Sequence, residues 1–226
     1  MRKNTDNDFE YLRNGELTRP FLDTEDLRDS VDEIFDYGRF SKNNESSYIS
    51  SLIKFIHSQI IFSDDEKFKD KEFNRTSEDI YLDRVALDSN DYALLYATFA
   101  RQLRIPTTCL YAVDQRDFIN LTKGNGSDIK NDKLLTRVFC ECYYDEHWVL
   151  VDPTFDYIIK DYNPFEIQIP CGDKTKKFVA YKRCHDLGKK MTLSEMKQFE
   201  KENCKKIGEK INHYYNLKEQ DADYNA

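Results

Sequence analysis

Between Ser89 and Leu103 the chain is apolar nearly all round, through Tyr92, Ala93, Leu94, Leu95, Tyr96, Ala97, Phe99, Ala100 and Leu103. A helix with one apolar stripe can lie on a surface, whereas one that is apolar on every side has to be enclosed. Any fold for this chain must therefore wrap other elements around that segment. Ile105-Pro106 stops the helix, because the residue before a proline avoids helical backbone angles. At the other end Ser89 suits the N-cap, with its oxygen accepting from an amide one turn in.

The elements available to enclose it are legible on both sides. Ile49, Leu52, Ile53, Ile56 and Ile60 recur at helical spacing and predict a helix over about 48–61. Thr76-Ser77-Glu78-Asp79 can cap a short helix through Tyr81 and Leu82. The charged stretch 64–71 reads as a solvated loop, and 115–132, with Gly124-Asn125-Gly126, as a polar mobile loop. Thr107 to Val113 reads as a strand. The runs 136–144 and 147–151 read as a tight β-hairpin that ends at Asp152-Pro153-Thr154, and one or two more strands are expected over 155–185, around Phe178 to Tyr181. Thr192-Leu193-Ser194-Glu195 is a capping box for a last helix with Leu193, Met196, Phe199, Ile207 and Ile211 on one face. Upstream, Asp23 to Gly38 predicts a further helix behind a polar arm. The order is helices, buried helix, antiparallel strands, helix, which is an α+β layout. Three parts are expected: 1–45 as arm and helix, 46–160 as core, and 161–226 as an extension ending in an amphipathic helix. No internal repeat is present.

A chain of 226 residues with 15 Phe and 15 Tyr can bury a proper core despite 39% apolar content. The net charge of −8 argues against nucleic acid, whose affinity comes from cationic neutralisation of phosphates. The polar N-terminus has no apolar core of a signal peptide, and no run reaches the ~18 apolar residues of a membrane span. A soluble, cytoplasmic protein without a membrane partner is expected. In that setting the six cysteines, Cys109, Cys140, Cys142, Cys171, Cys184 and Cys204, are expected to be structural thiols. Their spacings match no zinc site, so no metal and no cofactor is expected.

One constellation carries chemistry. Leu87-Asp88-Ser89-Asn90-Asp91-Tyr92-Ala93 opens the buried helix, Arg137-Val138-Phe139-Cys140-Glu141 begins the hairpin, and Trp148 and Asp152-Pro153-Thr154 close it. With Asp91, Ala93, Ile105-Pro106 and Glu141 in phase, this resembles the core of the transglutaminase-like superfamily of papain-like thiol enzymes, over about 47–157. The resemblance implies a buried central helix packed on an antiparallel sheet, with N- and C-terminal helices. It also implies a thiolate at the helix N-terminus, where the dipole and free amides lower its pKa, a histidine base on the first hairpin strand, and an aspartate that orients the histidine.

Laid on that pattern, Ser89 stands at the cysteine position, Arg137 at the histidine position, and Asp152 matches the aspartate. Leu87 and Arg104 also depart, standing where the family usually has glycine. A hydroxyl at a helix N-terminus stays protonated without a general base, and guanidinium has no acceptor and cannot serve as one. Arg137 and Asp152 are instead expected to form a direct ion pair, a geometry for which arginine can offer two parallel donors. The four histidines are His57, His147, His185 and His213. His147 lies five residues from Asp152, roughly 16 Å along a strand and on the opposite face, so it does not replace the base.

Two functional readings follow from the resemblance. The first is a catalytically inactive domain that binds a protein or peptide partner in the former substrate groove. The second is a hydrolase or acyl transferase that uses Ser89 with a base yet to be found. A purely structural role in a larger assembly is a third. The sequence leaves partner, pathway and oligomeric state open.

Overall fold

The computed structural model describes residues 47–224, apart from 104, 123–133, 145, 161, 171–175 and 185–191. The expected helix over 23–38, the Gly124-Asn125-Gly126 turn, Cys171 and His185 lie outside the described residues. The elements are α1 (Ser47–Gln59), β1 (Ile61–Phe62), a 3-10 helix (Glu66–Lys71), α2 (Ser77–Asp83), β2 (Val85–Ala86), α3 (Ser89–Gln102), β3 (Thr107–Asp114), α4 (Gln115–Thr122), β4 (Thr136–Tyr144), β5 (His147–Asp152), β6 (Tyr157–Ile159), β7 (Gln168–Pro170), β8 (Lys177–Cys184) and α5 (Leu193–Tyr224). The class is α+β. No helix among the described residues is long and apolar enough to cross a membrane.

The six-stranded sheet is antiparallel throughout, in the order β6-β5-β4-β3-β8-β7. Residues on both sides of position 160 therefore build one sheet. Every residue of α3 from Asp91 to Ala100 is buried, as its all-round apolar pattern requires. α3 lies against α1, α2, β3 and β4. Strand side chains alternate between faces. Tyr111, Val113, Val138, Cys140, Cys142 and Tyr181 join the helices in one core. Leu110, Ala112, Phe139, Leu150, Phe178 and Ala180 form a second, smaller core on the other face, covered by Tyr162. The Tyr162 N–H bonds Trp148 O at 2.9 Å, and Arg183 donates to Pro164 O at 2.9 Å. These bonds fasten the connection between β6 and β7 across that second core.

Local signals account for several boundaries. Thr76 and Asp79 form the capping box at α2, each side chain taking the other's backbone amide. Thr192 and Glu195 do the same at α5. Glu146 has φ of 62°, the left-handed angle that the two-residue β4–β5 turn needs.

Two segments expected to be loops are partly helical. Glu66–Lys71 is a short 3-10 helix, and the first part of 115–132 is α4. Phe118 is the one fully buried residue of α4, and a polar segment of eight residues is too short for its pattern to separate a helix from a loop. Tertiary packing supplies what the sequence pattern lacks: α4 docks on α5 at Gly208. A Cβ built at Gly208 would lie 2.2 Å from Thr122 Cγ2, and a β-branched side chain has little freedom to yield. Gly208→Ala is therefore expected to destabilise the fold by about 1–3 kcal/mol, despite the ~1 kcal/mol that alanine gains over glycine inside a helix. Adding Thr122→Ser, which removes the clashing methyl, should recover most of the loss. Urea unfolding of both variants checks this.

Candidate functional site

The helix that carries Ser89 is capped one residue earlier than expected. Asp88 is extended, with φ −156° and ψ −173°, and its Oδ1 accepts from Asn90 N at 2.8 Å and Asp91 N at 3.0 Å. That one oxygen satisfies two of the amides that a helix start leaves unpaired. Ser89 is thus the first residue of the helix and its oxygen is released from capping.

Where that oxygen goes follows from the register of the sheet. In an antiparallel strand, residues point their N–H and C=O alternately to one neighbour and the other. Tyr143 N donates to Pro106 O, towards β3, so the even-numbered residues of β4 turn theirs towards β5. The β4–β5 ladder ends at Cys140 opposite Val151. Its next bonded step would set Val138 against Pro153, but the chain turns away at Asp152-Pro153-Thr154. Two helix side chains take over both groups. Val138 N donates to Ser89 Oγ at 3.2 Å, and His57 Nε2, from α1, donates to Pro153 O at 2.8 Å. The His57 ring also stacks on Tyr92, with centroids 5.3 Å apart and planes 17° from parallel. Ser89 and His57 therefore finish a broken ladder, each sparing a backbone group from being left unpaired.

Arg137 and Asp152 are paired, as expected, with Nη1 3.0 Å from Oδ2 and both side chains at most 7% exposed. The contact is single, because Asp152 Oδ1 accepts from Thr154 N at 3.2 Å. The guanidinium is enclosed between two rings, 4.3 Å from the centroid of Phe155 and 4.8 Å from that of Phe178. Phe178 belongs to the second core, and so does Phe139, which shares Arg137's face. The ion pair thus faces away from α3, whose first residue is Ser89. The structure brings Arg137 and Asp152 together and brings Ser89 to the main chain beside them. Among the described residues Ser89 Oγ has one hydrogen-bond partner, the Val138 amide, and no side-chain base reaches it. Burial raises the Asp152 carboxyl above its usual range, and Arg137 pulls against that rise.

The remaining candidates lie elsewhere. His147 is exposed at the turn end of β5. Cys140 Sγ meets Ala93 O at 3.5 Å and Cys142 Sγ meets Tyr96 Oη at 3.9 Å, both under α3. Burial pushes both thiols up, Cys142 to about 12. No group of three or more His, Cys, Asp or Glu suited to a metal ion occurs among the described residues.

Sequence reasoning passed over the acidic pair at the start of α3. Asp91 is buried and accepts from Arg75 Nη2 and from Leu87 N, the latter at 2.8 Å. Burial raises the Asp91 carboxyl, and Arg75 opposes the rise. Among the described residues Asp88 has no such cation and its enclosed Oδ2 has no hydrogen-bond partner; burial, followed by the nearby Asp91 charge, pushes its carboxyl up to about 7. The only sequence signal was Asp88 and Asp91 at a spacing of three beside a helix start.

The sequence matches no protein-family model and no curated protein. Among solved structures the chain is similar to a proposed cysteine protease from Cytophaga hutchinsonii, at 13% identity and a TM-score of 0.40, over 65% of this chain and 46% of that one. It is also similar to a TGase, at 12% identity and a TM-score of 0.36, over 74% of this chain and 41% of that one. The chain thus spans less than half the length of either neighbour. Likeness at this level says nothing of chemistry at Ser89.

Two outcomes follow from this geometry. Asp152→Ala should cost about 3–5 kcal/mol in urea unfolding, because it leaves Arg137 buried without a counter-charge. The double change Arg137→Met with Asp152→Leu should cost much less, since it removes both charges. The second outcome concerns pH. An unfolded aspartate releases its proton near 4, whereas folded Asp88 holds it to about 7. Between those values the native chain binds the extra proton, so the Asp88 contribution to stability is greatest at the acid end and is lost as pH rises through about 7. Asp88→Asn keeps a capping oxygen and removes the titration, so its stability should change less between pH 4.5 and pH 7.5 than that of the wild type.

Proposed function

We propose that this chain is a transglutaminase-like domain without catalytic activity that binds a protein or peptide partner across the surface beside Ser89 and Arg137. The family assignment rests on the sequence motifs that frame α3 and the β4–β5 hairpin. The loss of catalysis rests on one observation: Ser89 Oγ accepts from a backbone amide, and no proton acceptor stands beside it among the described residues. Arg137, at the histidine position, is committed to Asp152 and two aromatic rings. Ser89, Arg137 and Asp152 are then triad-equivalent positions that serve packing and hairpin geometry. Phe155, stacked on Arg137 and 54% exposed, offers a partner an aromatic contact on the Arg137 side of the sheet. A cytoplasmic setting, with neither nucleic acid nor membrane as partner, completes this reading and accords with the acidic balance of the chain.

The alternative, a hydrolase or acyl transferase that uses Ser89, has one observation in its favour. His57 is held at the same ladder end, and with Nε2 donating to Pro153 the neutral ring keeps Nδ1 as an acceptor. Among the described residues no hydrogen bond joins it to Ser89.

A serine-directed fluorophosphonate probe separates the two readings. The folded wild-type protein should remain unlabelled, and Ser89→Cys should show no amidase or crosslinking turnover, because it gains a thiol but no base. Labelling at Ser89 that is lost in His57→Gln would establish the alternative, and turnover by Ser89→Cys alone would refute an inactive site.

A further inference from the structure

The sheet ends at β7 on one side and at β6 on the other, and the two edges differ. Ala180 N donates to Ile167 O at 2.7 Å, so the odd-numbered residues of the β7 segment bond to β8, and Gln168 and Pro170 turn their backbone groups outward. Proline has no N–H to offer, which blunts that edge against a further strand. At the other edge the bonded partners of Tyr157 and Ile159 are Asp152 and Leu150, because the odd-numbered residues of β5 face β4. Ile158 therefore turns its N–H and C=O outward. Among the described residues no backbone hydrogen bond takes up either group.

One residue with both groups outward is what a two-fold axis needs. With a second copy antiparallel and Ile158 opposite Ile158, each gives its N–H to the other's C=O, the bonded pair of an antiparallel ladder. The register then fixes the flanks. Tyr157 of each copy faces Ile159 of the other, and aromatic–β-branched cross-strand pairs are favourable. One position further out, Asp156 of each copy faces Lys160 of the other, and both side chains are exposed. The edge is thus complementary in charge to itself. A slip of two residues would set Asp156 or Lys160 against Ile158 instead. Ile159 packs on the second core, and Phe155, 54% exposed on that side of the sheet, adds apolar surface beside the seam.

We propose that two copies of this chain pair β6 with β6 about a two-fold axis through Ile158, so that their sheets become one. The axis stands perpendicular to the sheet, which puts both helix layers on one side and both second cores on the other. Three-residue strands make a small seam, below the roughly 1,200 Å² at which specific, stable interfaces begin. The dimer is therefore weak and reversible. Its two Asp156–Lys160 contacts lie at the surface, where salt screens them, and they set orientation and register more than strength. None of this depends on whether Ser89 is catalytically inert.

Sedimentation equilibrium of the full chain tests this, with charge exchange at the seam. The wild-type mass should rise with concentration from monomer towards dimer. Asp156→Lys and Lys160→Asp should each weaken self-association at least tenfold, because each sets like charges opposite one another. Mixed in equal amounts, the two variants should associate again as a heterodimer, since every contact is then between opposite charges. Asp156 has φ of 49°, a left-handed angle that lysine disfavours. If Asp156→Lys does not fold, Lys160→Asp and Asp156→Asn, which tolerates that angle, still read the loss of dimer. A wild-type chain that stays monomeric up to about 1 mM, where even weak specific pairing is populated, would overturn the proposal and leave the edge to a different chain. Self-association that the charge variants leave unchanged, or that mixing does not restore, would overturn it as well.

Discussion

The first turn of α3 places a buried carboxylate, Asp91, in an otherwise apolar centre, and the surrounding structure is arranged to meet it. The Arg75 guanidinium, itself buried, pairs with Asp91 and also donates to Val85 O at 2.8 Å and to Asp83 at 3.4 Å. The Leu87 amide completes the carboxylate's partners. An unpaired charge at this depth would cost several kcal/mol, so the rotation of α3 about its axis is fixed relative to α2 and β2. With that rotation set, Ala93 falls on Cys140, Tyr96 on Cys142 and Ser89 on Val138. The position of Ser89 thus depends on an ion pair whose cation, Arg75, lies outside the motif.

What Ser89 can do follows from what it meets. A nucleophilic hydroxyl needs a base that takes its proton. The neighbouring strand instead offers an N–H that needs an acceptor, exposed where the ladder breaks at Asp152-Pro153-Thr154. Serine satisfies that need with its lone pairs. Arg137 and Asp152, one strand residue away, turn to the other face and stabilise the hairpin there. The proline-containing turn that the resemblance associates with a catalytic aspartate therefore has a structural reason in this chain: it ends a strand, and two helix side chains close the gap.

Much of this was legible in the sequence. The all-round apolar run from Tyr92 to Ala100 gave the buried helix, alternation gave the hairpin, and the opposite charges at matched positions gave the Arg137–Asp152 pair. The cap was misplaced by one residue because Asp88, Ser89 and Asn90 are all good caps, and backbone angles choose among them. The polar sequence of 115–132 predicts a loop where α4 stands, because the order of α4 comes from the buried Phe118 and from contact with Gly208, some 90 residues on. His57 was passed over because its partner, Pro153 O, is a main-chain atom 96 positions away, set by register and invisible to side-chain patterning. The Arg75–Asp91 pair was missed for a similar reason, since nothing local marks two charged residues as a buried couple.

The central claim is that the Ser89 hydroxyl is an acceptor for the strand. Amide hydrogen exchange at Val138, resolved by NMR in wild type and in Ser89→Ala, tests it most directly. The expected result is a protected Val138 amide in the wild type that exchanges faster in the variant, while the Cys140 amide stays protected in both. A Val138 amide that exchanges equally fast in both proteins would contradict the account, because the Ser89 oxygen would then be unengaged at the end of the helix.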